Sequence, residues 1–222
     1  MLERFKLADT PLYQSPLLRG VGVPHAFGTR HGDADAIARA IGLDQHEWVT
    51  VKQVHGTTVA RTGGCDADGV MLDDPTKATR IVTADCVPVL LATLDGRRVA
   101  AVHAGWRGLV AGILERAIEQ LDAPFLAAVG PAISPAHFEV GPEVAKHFDA
   151  SFVTKKPDAN PHVDLPAAAT ARLHAAGAQA LDTTDRCTYR DAKDFYSHRR
   201  DVTHHGAETT GRMPSVIACR QH

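Results

Sequence analysis

Cysteine is scarce in this sequence. The 222 residues include four, Cys65, Cys86, Cys187 and Cys219, and no two of them form a Cys-x-x-Cys pair. This wide spacing argues against a disulfide framework and against a structural zinc knuckle. Each cysteine must therefore be interpreted from its own surroundings, and we expect Cys187 to be a loop thiol and Cys219 a core residue.

Long apolar runs are also missing. No segment approaches the roughly 20 apolar residues that a membrane-spanning helix needs. The first six residues include Glu3, Arg4 and Lys6 and lack the apolar stretch of a signal peptide. We therefore expect a cytoplasmic protein that does not associate with membranes.

A charge excess of either sign is absent, because 24 basic residues face 26 acidic ones and the formal net charge is −2. Such a balance gives no general attraction to nucleic acid or to an anionic membrane, so the expected partner is a small molecule. The hydrophobic content of 44% is sufficient for one substantial core. We expect a single catalytic domain over residues 1–222 and a monomeric protein.

The first half of the chain contains short β patterns. Residues 1–32 are rich in Pro and Gly and show no helical periodicity, so an irregular segment is expected there, followed by a helix over 34–41. The pattern predicts strands over residues 49–54, 57–61, 80–84, 87–94 and 98–103. Asp95-Gly96 is a strong two-residue turn signal, so the last two strands should pair antiparallel.

The second half alternates helical and β patterns. A helix should open near Gly105 and continue to Leu121, because apolar residues repeat at helical spacing and would pack on a sheet. The remaining predicted elements are a strand over 125–129, helices over 141–148 and about 165–176, and mostly loop over 182–211. Because the hairpin excludes an all-parallel sheet, these elements predict an α+β fold with mixed β-sheets.

Three side chains that bind metals well stand at the ends of predicted strands: His55, Cys86 and His103. They are too far apart for one local loop, but neighbouring strand ends could bring them together. Two imidazoles and a thiolate would leave the fourth tetrahedral position open for water, as in catalytic zinc sites, and zinc would make that water more acidic and more nucleophilic. The alternative is a buried cysteine beside two hydrogen-bonded histidines without any metal.

An ordered series of short motifs runs through the chain from Thr29 onward. It consists of TRHG (29–32), KQVHG (52–56), ADG (67–69), TADCVPV (83–89), HAGWRG (103–108), GPAI (130–133), FEVG (138–141), FYSHRRD (195–201) and TGR (210–212). This series resembles the laccase-domain or YfiH-type family. Members are described as zinc-dependent purine nucleoside phosphorylases with adenosine deaminase activity, and formerly as polyphenol oxidases.

The resemblance implies a fold, a metal site and a reaction. The fold would be a four-layer α/β/β/α sandwich, and His55, Cys86 and His103 would bind one zinc ion per chain. The substrates would be phosphate with adenosine, inosine or S-methyl-5'-thioadenosine, split into the base and a (methylthio)ribose 1-phosphate. Adenosine would also be deaminated hydrolytically to inosine.

Two departures from the family pattern concern the N-terminal part. His31 stands where the family usually has a second glycine. The segment between this motif and Lys52 is shorter than in the family, and it lacks the usual Asn and Gly-Asp elements. The metal site is unaffected by these differences, whereas the N-terminal contribution to the substrate pocket should differ.

Phosphorolysis requires cations or helix N-terminal amides beside the pocket, because a phosphate oxygen attacks the anomeric carbon. Arg30, Arg107 and Arg200 are the candidates, and Arg107 is the best placed since it follows His103 closely at a helix start. The alternative for Arg107 is a solvated or carboxylate-paired side chain.

Acidic residues near the ligands offer further catalytic candidates. Asp85 directly precedes Cys86 and could orient a ligand histidine or move a proton. Asp68, in an Asp-Gly turn, is interpreted as a loop cap. Glu139 could act as acid or base, or occupy an exposed strand position. The catalytic set inferred from the sequence is therefore Cys86, Asp85 and Arg107.

Three other function classes remain open from the sequence. A copper-dependent phenol oxidase (laccase) would need a multi-copper centre, for which one His/Cys/His site is too small and paired His-x-His motifs are missing. A metal-free cysteine hydrolase could use Cys86 as nucleophile and His103 as base. A non-enzymatic partner role is a further alternative. Metal analysis separates the zinc enzyme from the hydrolase.

Overall fold

The computed structural model describes residues 1–7, 10–155, 157 and 159–221. The strands are β1 (Glu3–Leu7), β2 (Thr10–Gln14), β3 (His25–Gly28), β4 (Glu47–Val49), β5 (Val59–Ala60), β6 (Gly69–Leu72), β7 (Lys77–Thr83), β8 (Val87–Thr93), β9 (Val99–Ala104), β10 (Phe125–Val129), β11 (Val153–Thr154), β12 (His162–Val163), β13 (Ala180–Asp182) and β14 (Met213–Ala218). The α-helices are α1 (Pro16–Gly20), α2 (Ala34–Ala40), α3 (Trp106–Val110), α4 (Ile113–Leu121), α5 (Pro142–Ala145) and α6 (Leu165–Ala175). A 3-10 helix spans Ala150–Phe152 and a π-helical turn spans Arg199–His204.

The strands form two large sheets and a small ribbon. The first sheet has the order β1-β2-β3-β14-β7-β4, and the second has the order β13-β10-β8-β9-β6-β5. Most neighbours are antiparallel, whereas β4–β7, β5–β6 and β10–β13 are parallel. The predicted α+β class with mixed sheets is therefore confirmed.

The two sheets share an apolar core. Tyr13, Phe27 and Ile217 of the first sheet pack in one buried cluster with Leu90 and Leu126 of the second. Each such side chain contributes about 1.5–3 kcal/mol when it is fully buried. This shared cluster holds the sheets against each other.

Helices cover the other faces. Adjacent strand residues point to opposite sides of a sheet, so Leu12 and Val216 face away from the shared core and contact Ile37 of α2. On the second sheet, Val89 and Val102 pack with helices α4 and α6. Helices thus pack on residues of both sheets that lie outside the shared cluster.

The N-terminal segment differs from its prediction. Residues 1–32 contain three strands and a helix instead of irregular structure, since β3 pairs with β14 from near the other end of the chain. That long-range partner is invisible locally, and Pro11 and Pro24 dilute the β pattern. Strand β14, in the middle of the first sheet, has no counterpart in the sequence-based interpretation.

The strand predicted over residues 49–54 is also wrong in extent. Strand β4 ends at Val49 in the first sheet, and β5 begins at Val59 in the second. The chain crosses between the sheets over residues 50–58. Its backbone groups there pair with the loop around Gly64 and not with a neighbouring strand. The Gly64 N–H donates to the Thr50 carbonyl, and the Lys52 N–H donates to the Cys65 carbonyl.

The long helix expected up to Leu121 is broken. Gly112 adopts a left-handed conformation with φ 89° between α3 and α4, which a continuous helix does not allow. The apolar stripe nevertheless packs on the sheet as expected, through Leu109, Ile113 and Ala117 among others. The remaining predicted strands and helices, and the loop character of 182–211, agree with the structure except at the ends of elements and at the π-helical turn.

Within the described residues, no helix is both long and apolar enough to cross a lipid bilayer.

A buried histidine connects β3 to the start of α1. The Ser15 backbone N–H donates to His25 Nε2 at 2.8 Å, so Nδ1 carries the proton and donates to the Val23 carbonyl at 2.8 Å. Burial opposes the charged imidazolium and lowers the pKa of His25 to about 4 from 6.5, although the Val23 hydrogen bond acts in the opposite direction.

We expect His25 to make the protein less stable in mild acid. Below pH 6.5, His25 becomes protonated in the unfolded chain but stays neutral in the folded protein. The free energy of unfolding should therefore fall as the pH decreases from 6.5 to 4, by about 3 kcal/mol in total. Urea unfolding across this range, compared for the unsubstituted protein, His25→Asn and the exposed control His205→Asn, measures the effect. An equally steep pH dependence in His25→Asn would contradict it.

Candidate active site

Adjacent strands place Cys86 and His103. Cys86 directly precedes β8, and His103 lies in β9 opposite Pro88. His55 approaches from the loop between β4 and β5, with a left-handed backbone at φ 59°. One donor atom from each of the three residues lies within 4.8 Å of the others. The predicted constellation is therefore assembled, and the donors could hold a metal ion.

Asp68, which directly precedes β6, holds this constellation together. Its Oδ1 accepts hydrogen bonds from His103 Nδ1 at 2.7 Å and from the His55 backbone N–H at 2.9 Å. Its Oδ2 accepts from the backbone N–H groups of Gly56 at 2.7 Å and Val54 at 3.1 Å. The Asp68 carbonyl also accepts the His103 N–H at 2.7 Å. Because Nδ1 of His103 is occupied, Nε2 is the nitrogen left to bind a metal.

These contacts shift the pKa values of the group. Burial acts to raise the pKa of the Asp68 carboxyl, but the hydrogen bonds from His103, Gly56 and Val54 hold it below the usual value. Burial likewise acts to raise the pKa of Cys86, but His103 and His55 lower it to about 7. Burial acts to lower the pKa of His103, whereas Asp68 and Cys86 raise it to about 9. The surroundings thus favour the thiolate, the form that binds metals.

Gly105 leaves room for the donors. A Cβ atom at this position would lie 2.8 Å from His55 Nδ1 and 3.2 Å from Cys86 Sγ. A side chain at this position would clash with His55 and Cys86. Glycine at position 105 therefore allows the backbone to lie close to these side chains.

A pocket of about 510 Å³ opens at the three donors, a size typical of sites for small molecules. Apolar side chains form part of its wall: Val51, Val82, Ile133 and Phe138. Polar and charged side chains complete the lining: Gln53, Thr83, Asp85, His198, Arg199 and Arg212.

Asp85 reaches the pocket but contacts neither histidine through a hydrogen bond. Its Oδ1 accepts from the Thr188 hydroxyl at 2.6 Å, and its Oδ2 accepts from the Ser197 hydroxyl at 3.0 Å and the Arg199 backbone N–H at 2.7 Å. Asp68, and not Asp85, therefore forms the hydrogen bond that orients His103, whereas a role of Asp85 in moving a proton stays a prediction. Asp85, which directly precedes Cys86, instead anchors the loop between β13 and β14 beside the pocket.

The three arginines predicted to bind phosphate lie outside the pocket lining. Arg107 is exposed and stacks on Trp106, with Cζ 4.5 Å from the ring centroid. Arg30 donates to the Ala192 carbonyl at 2.7 Å and lies over Tyr196.

Arg200 is buried and acts within the C-terminal loop. It donates to the carbonyls of Thr188, Tyr189 and Phe195 and pairs with Asp201. The predicted phosphate contacts of Arg30, Arg107 and Arg200 are thus not supported by their positions. Arg199 and Arg212 are the arginines that line the pocket.

Several site residues escaped the sequence-based interpretation. His198 and Arg199 directly precede the predicted Arg200, and Arg212 belongs to a quoted motif, but no local signal in the sequence distinguished which of these side chains enters the pocket. The interpretation of Asp68 as a loop cap was incomplete: its carboxylate does cap the 54–56 loop, and it also fixes His103. Cys187, expected as a loop thiol, is fully buried and accepts the Ser134 N–H, whereas Cys219 is confirmed as a core residue.

Together, the fold and the site define a class of α+β protein in which two histidines and a cysteine meet at strand ends beside a pocket. Comparison with known families is consistent with this class. Residues 31–220 match the family described as multi-copper polyphenol oxidoreductase laccase, and the chain belongs to that family.

Curated relatives and solved structures agree with this assignment. The chain is 40% identical over 185 residues to a purine nucleoside phosphorylase of Pseudomonas aeruginosa, covering 79% of this chain and 72% of the relative. A purine nucleoside phosphorylase of Deinococcus radiodurans is 34% identical over 240 residues, covering 91% and 92%. The Neisseria meningitidis protein NMB0706 superposes with a TM-score of 0.78 at 31% identity, covering 90% of this chain and 95% of that one. YlmD from Geobacillus stearothermophilus has the same fold, with a TM-score of 0.84 at 24% identity and coverage of 98% and 99%.

We expect Asp68→Asn to weaken divalent metal binding about 10–100-fold, the usual effect of losing a group that orients a metal ligand. An amide in place of the carboxylate brings an NH₂ group against N–H donors and no longer holds His103 in position. Titration of the protein with Co²⁺, followed by thiolate–metal absorption, measures the affinity. The exposed Asp66→Asn is the matched control, and equal affinities in the two variants would contradict the role of Asp68.

Proposed function

We propose that this protein is a zinc-dependent purine nucleoside phosphorylase. Its substrates would be adenosine, inosine and S-methyl-5'-thioadenosine, each split by phosphate into the base and a ribose 1-phosphate. The same pocket would deaminate adenosine to inosine. The curated relatives named purine nucleoside phosphorylase support the phosphorolysis, and the His55, Cys86 and His103 group beside the pocket carries the proposal.

Zinc is the metal that we propose for this site. Two imidazoles and a thiolate match its ligand preference, and three protein donors leave one position open, as in catalytic sites. Zinc bound there would supply an acidified water and a Lewis acid. His103 is fixed by Asp68 and largely buried, whereas His55 is exposed, so the protein closes the site on one side and leaves it accessible on the other.

Two pocket arginines are proposed to bind phosphate. Arg199 Nη1 donates to the Glu139 carbonyl at 2.7 Å, and Arg212 Nη1 donates to the carbonyls of Thr210 and Gly211 at 3.0 and 3.2 Å. These contacts orient each guanidinium and leave other N–H groups for a ligand, since a guanidinium has five. Such groups bind phosphate oxygens strongly, often in bidentate pairs.

The apolar wall of Ile133 and Phe138 is proposed to contact the purine. Phe138 is half-buried and offers a ring face on which a base could stack. Arg199 lies near the same ring, with Cζ 5.5 Å from its centroid, which keeps the proposed phosphate and base positions close together.

The cysteine hydrolase alternative has one observation in its favour. Cys86, His103 and Asp68 are ordered like a nucleophile, a base and an orienting carboxylate, and the pKa of Cys86 is lowered to about 7. A hydrolase of this kind does not need His55 beside the thiol, however, and a metal site does. A multi-copper oxidase is less compatible, because the described residues contain a single group able to hold a metal.

Replacing Arg212 should separate phosphate binding from the rest of the reaction. We expect Arg212→Ala to raise the KM for phosphate about 10–100-fold, because a charge-assisted hydrogen bond contributes roughly 1.5–3 kcal/mol. Adenosine deamination, which uses no phosphate, should change much less. Steady-state kinetics of both reactions measure this, with the exposed Arg107→Ala as control. A larger effect of Arg107→Ala would restore the sequence-based assignment.

Metal removal distinguishes the zinc enzyme from the cysteine hydrolase. We expect a chelator to abolish adenosine deamination and added zinc to restore it. The zinc-loaded protein should also resist alkylation at Cys86, since a metal-bound thiolate is not a free nucleophile, and mass spectrometry of the alkylated protein would detect this. Exposed Cys65 serves as the internal control for the reagent. Activity that survives the chelator, together with rapid alkylation of Cys86, would favour the hydrolase.

A further inference from the structure

His198 occupies a fixed position at the edge of the pocket. Its two neighbours are both tied to Asp85: the Ser197 hydroxyl donates at 3.0 Å and the Arg199 backbone N–H at 2.7 Å. Because Asp85 directly precedes Cys86, these bonds hold the His198 backbone close to the metal donors. The His198 side chain is exposed and contributes to the pocket lining.

The imidazole of His198 is available for a substrate. Among the described residues, its ring makes no hydrogen bond or ion pair, although Ser197 and Arg199 on either side make several. Histidine is also the side chain whose charge changes near neutral pH, so it can both give and recover a proton.

The other polar groups of the pocket are poor proton donors. Both oxygens of Asp85 already accept hydrogen bonds. The Gln53 amide is used twice by Val82, donating to its carbonyl at 2.9 Å and accepting its N–H at 2.8 Å. Arg199 and Arg212 stay protonated in proteins and release no proton. His55 and His103 belong to the metal donor set.

We propose that His198 is the general acid that protonates the leaving purine, an assignment that rests on the proposed phosphorolysis. A phosphate oxygen forms a bond to C1′ while the C1′–N9 bond breaks and its electron pair moves into the purine. The His198 imidazolium gives its proton to N7, so the base leaves neutral. The proton released by the new phosphate monoester restores the imidazolium, and no other reactant is required.

The charges that face the pocket suit this role. Arg199 and Arg212 are cationic, while Asp85 and the Cys86 thiolate are anionic, and all four line the same space with His55, His103 and His198. A phosphate dianion between the arginines would favour the imidazolium over neutral imidazole, so phosphate binding would prepare the acid.

A comparison of two substrates tests this proposal. Inosine needs a proton on N7 to release a neutral base, whereas 7-methylinosine already carries a positive charge on that ring and needs none. We expect His198→Gln to lower kcat for inosine phosphorolysis about 10²–10⁴-fold, the usual contribution of a general acid. Phosphorolysis of 7-methylinosine should stay close to that of the unsubstituted protein, and His205→Gln should leave both rates unchanged.

Each outcome has one interpretation. If the unsubstituted protein cleaves neither nucleoside with phosphate, the proposed function fails, and this assignment fails with it. If it cleaves both and His198→Gln lowers both rates equally or neither, His198 is not the acid.

Chemical rescue supplies a second, independent measurement. With His198→Ala, added imidazole should restore the cleavage of inosine and leave that of 7-methylinosine unchanged. Absence of rescue in a variant that still cleaves 7-methylinosine would overturn the proposal.

Discussion

The site depends on the carboxylate of Asp68. This buried carboxylate accepts hydrogen bonds from the His103 ring and from three successive backbone N–H groups of the loop that carries His55. The Asp68 carbonyl also accepts a hydrogen bond from the His103 N–H. Five hydrogen bonds therefore converge on Asp68, directly before β6. The positive φ of His55 is a strained conformation that these bonds compensate.

A second carboxylate, that of Asp85, organises another part of the pocket wall. Asp85 also has a positive φ, 97°, and receives three donors from the loop between β13 and β14. Arg200, one of the three arginines that the sequence suggested for phosphate binding, holds that loop together by hydrogen bonds to three of its carbonyls. The two histidines near Cys86 and the C-terminal loop that lines the pocket are thus held by separate acidic residues, Asp68 and Asp85.

The sequence allowed some of this to be predicted and hid the rest for physical reasons. The Asp95-Gly96 turn fixes the pairing of β8 and β9, so the proximity of Cys86 and His103 followed from local chemistry. His55 was placed at the end of a predicted strand, but that strand ends at Val49 and the loop of His55 crosses between the sheets, so the local pattern did not show how it reaches Cys86. The sequence did not show which arginines line the pocket, because the conformation of a loop depends on distant partners, such as Asp85 for the Arg199 backbone. Residues 1–32 were misread for the same reason, since their partner strand comes from the other end of the chain.

The central position of β14 has a consequence for biosynthesis. Strands β3 and β7 leave the ribosome early, yet the strand that joins them is the last of the described chain. Until it emerges, both hold unpaired edges and apolar faces, the surfaces through which nascent chains aggregate. The second sheet has all of its strands by Asp182 and can form first, whereas the first sheet must close late, by a contact of high sequence separation. Nascent chains should therefore rely on chaperones until β14 has emerged from the ribosome.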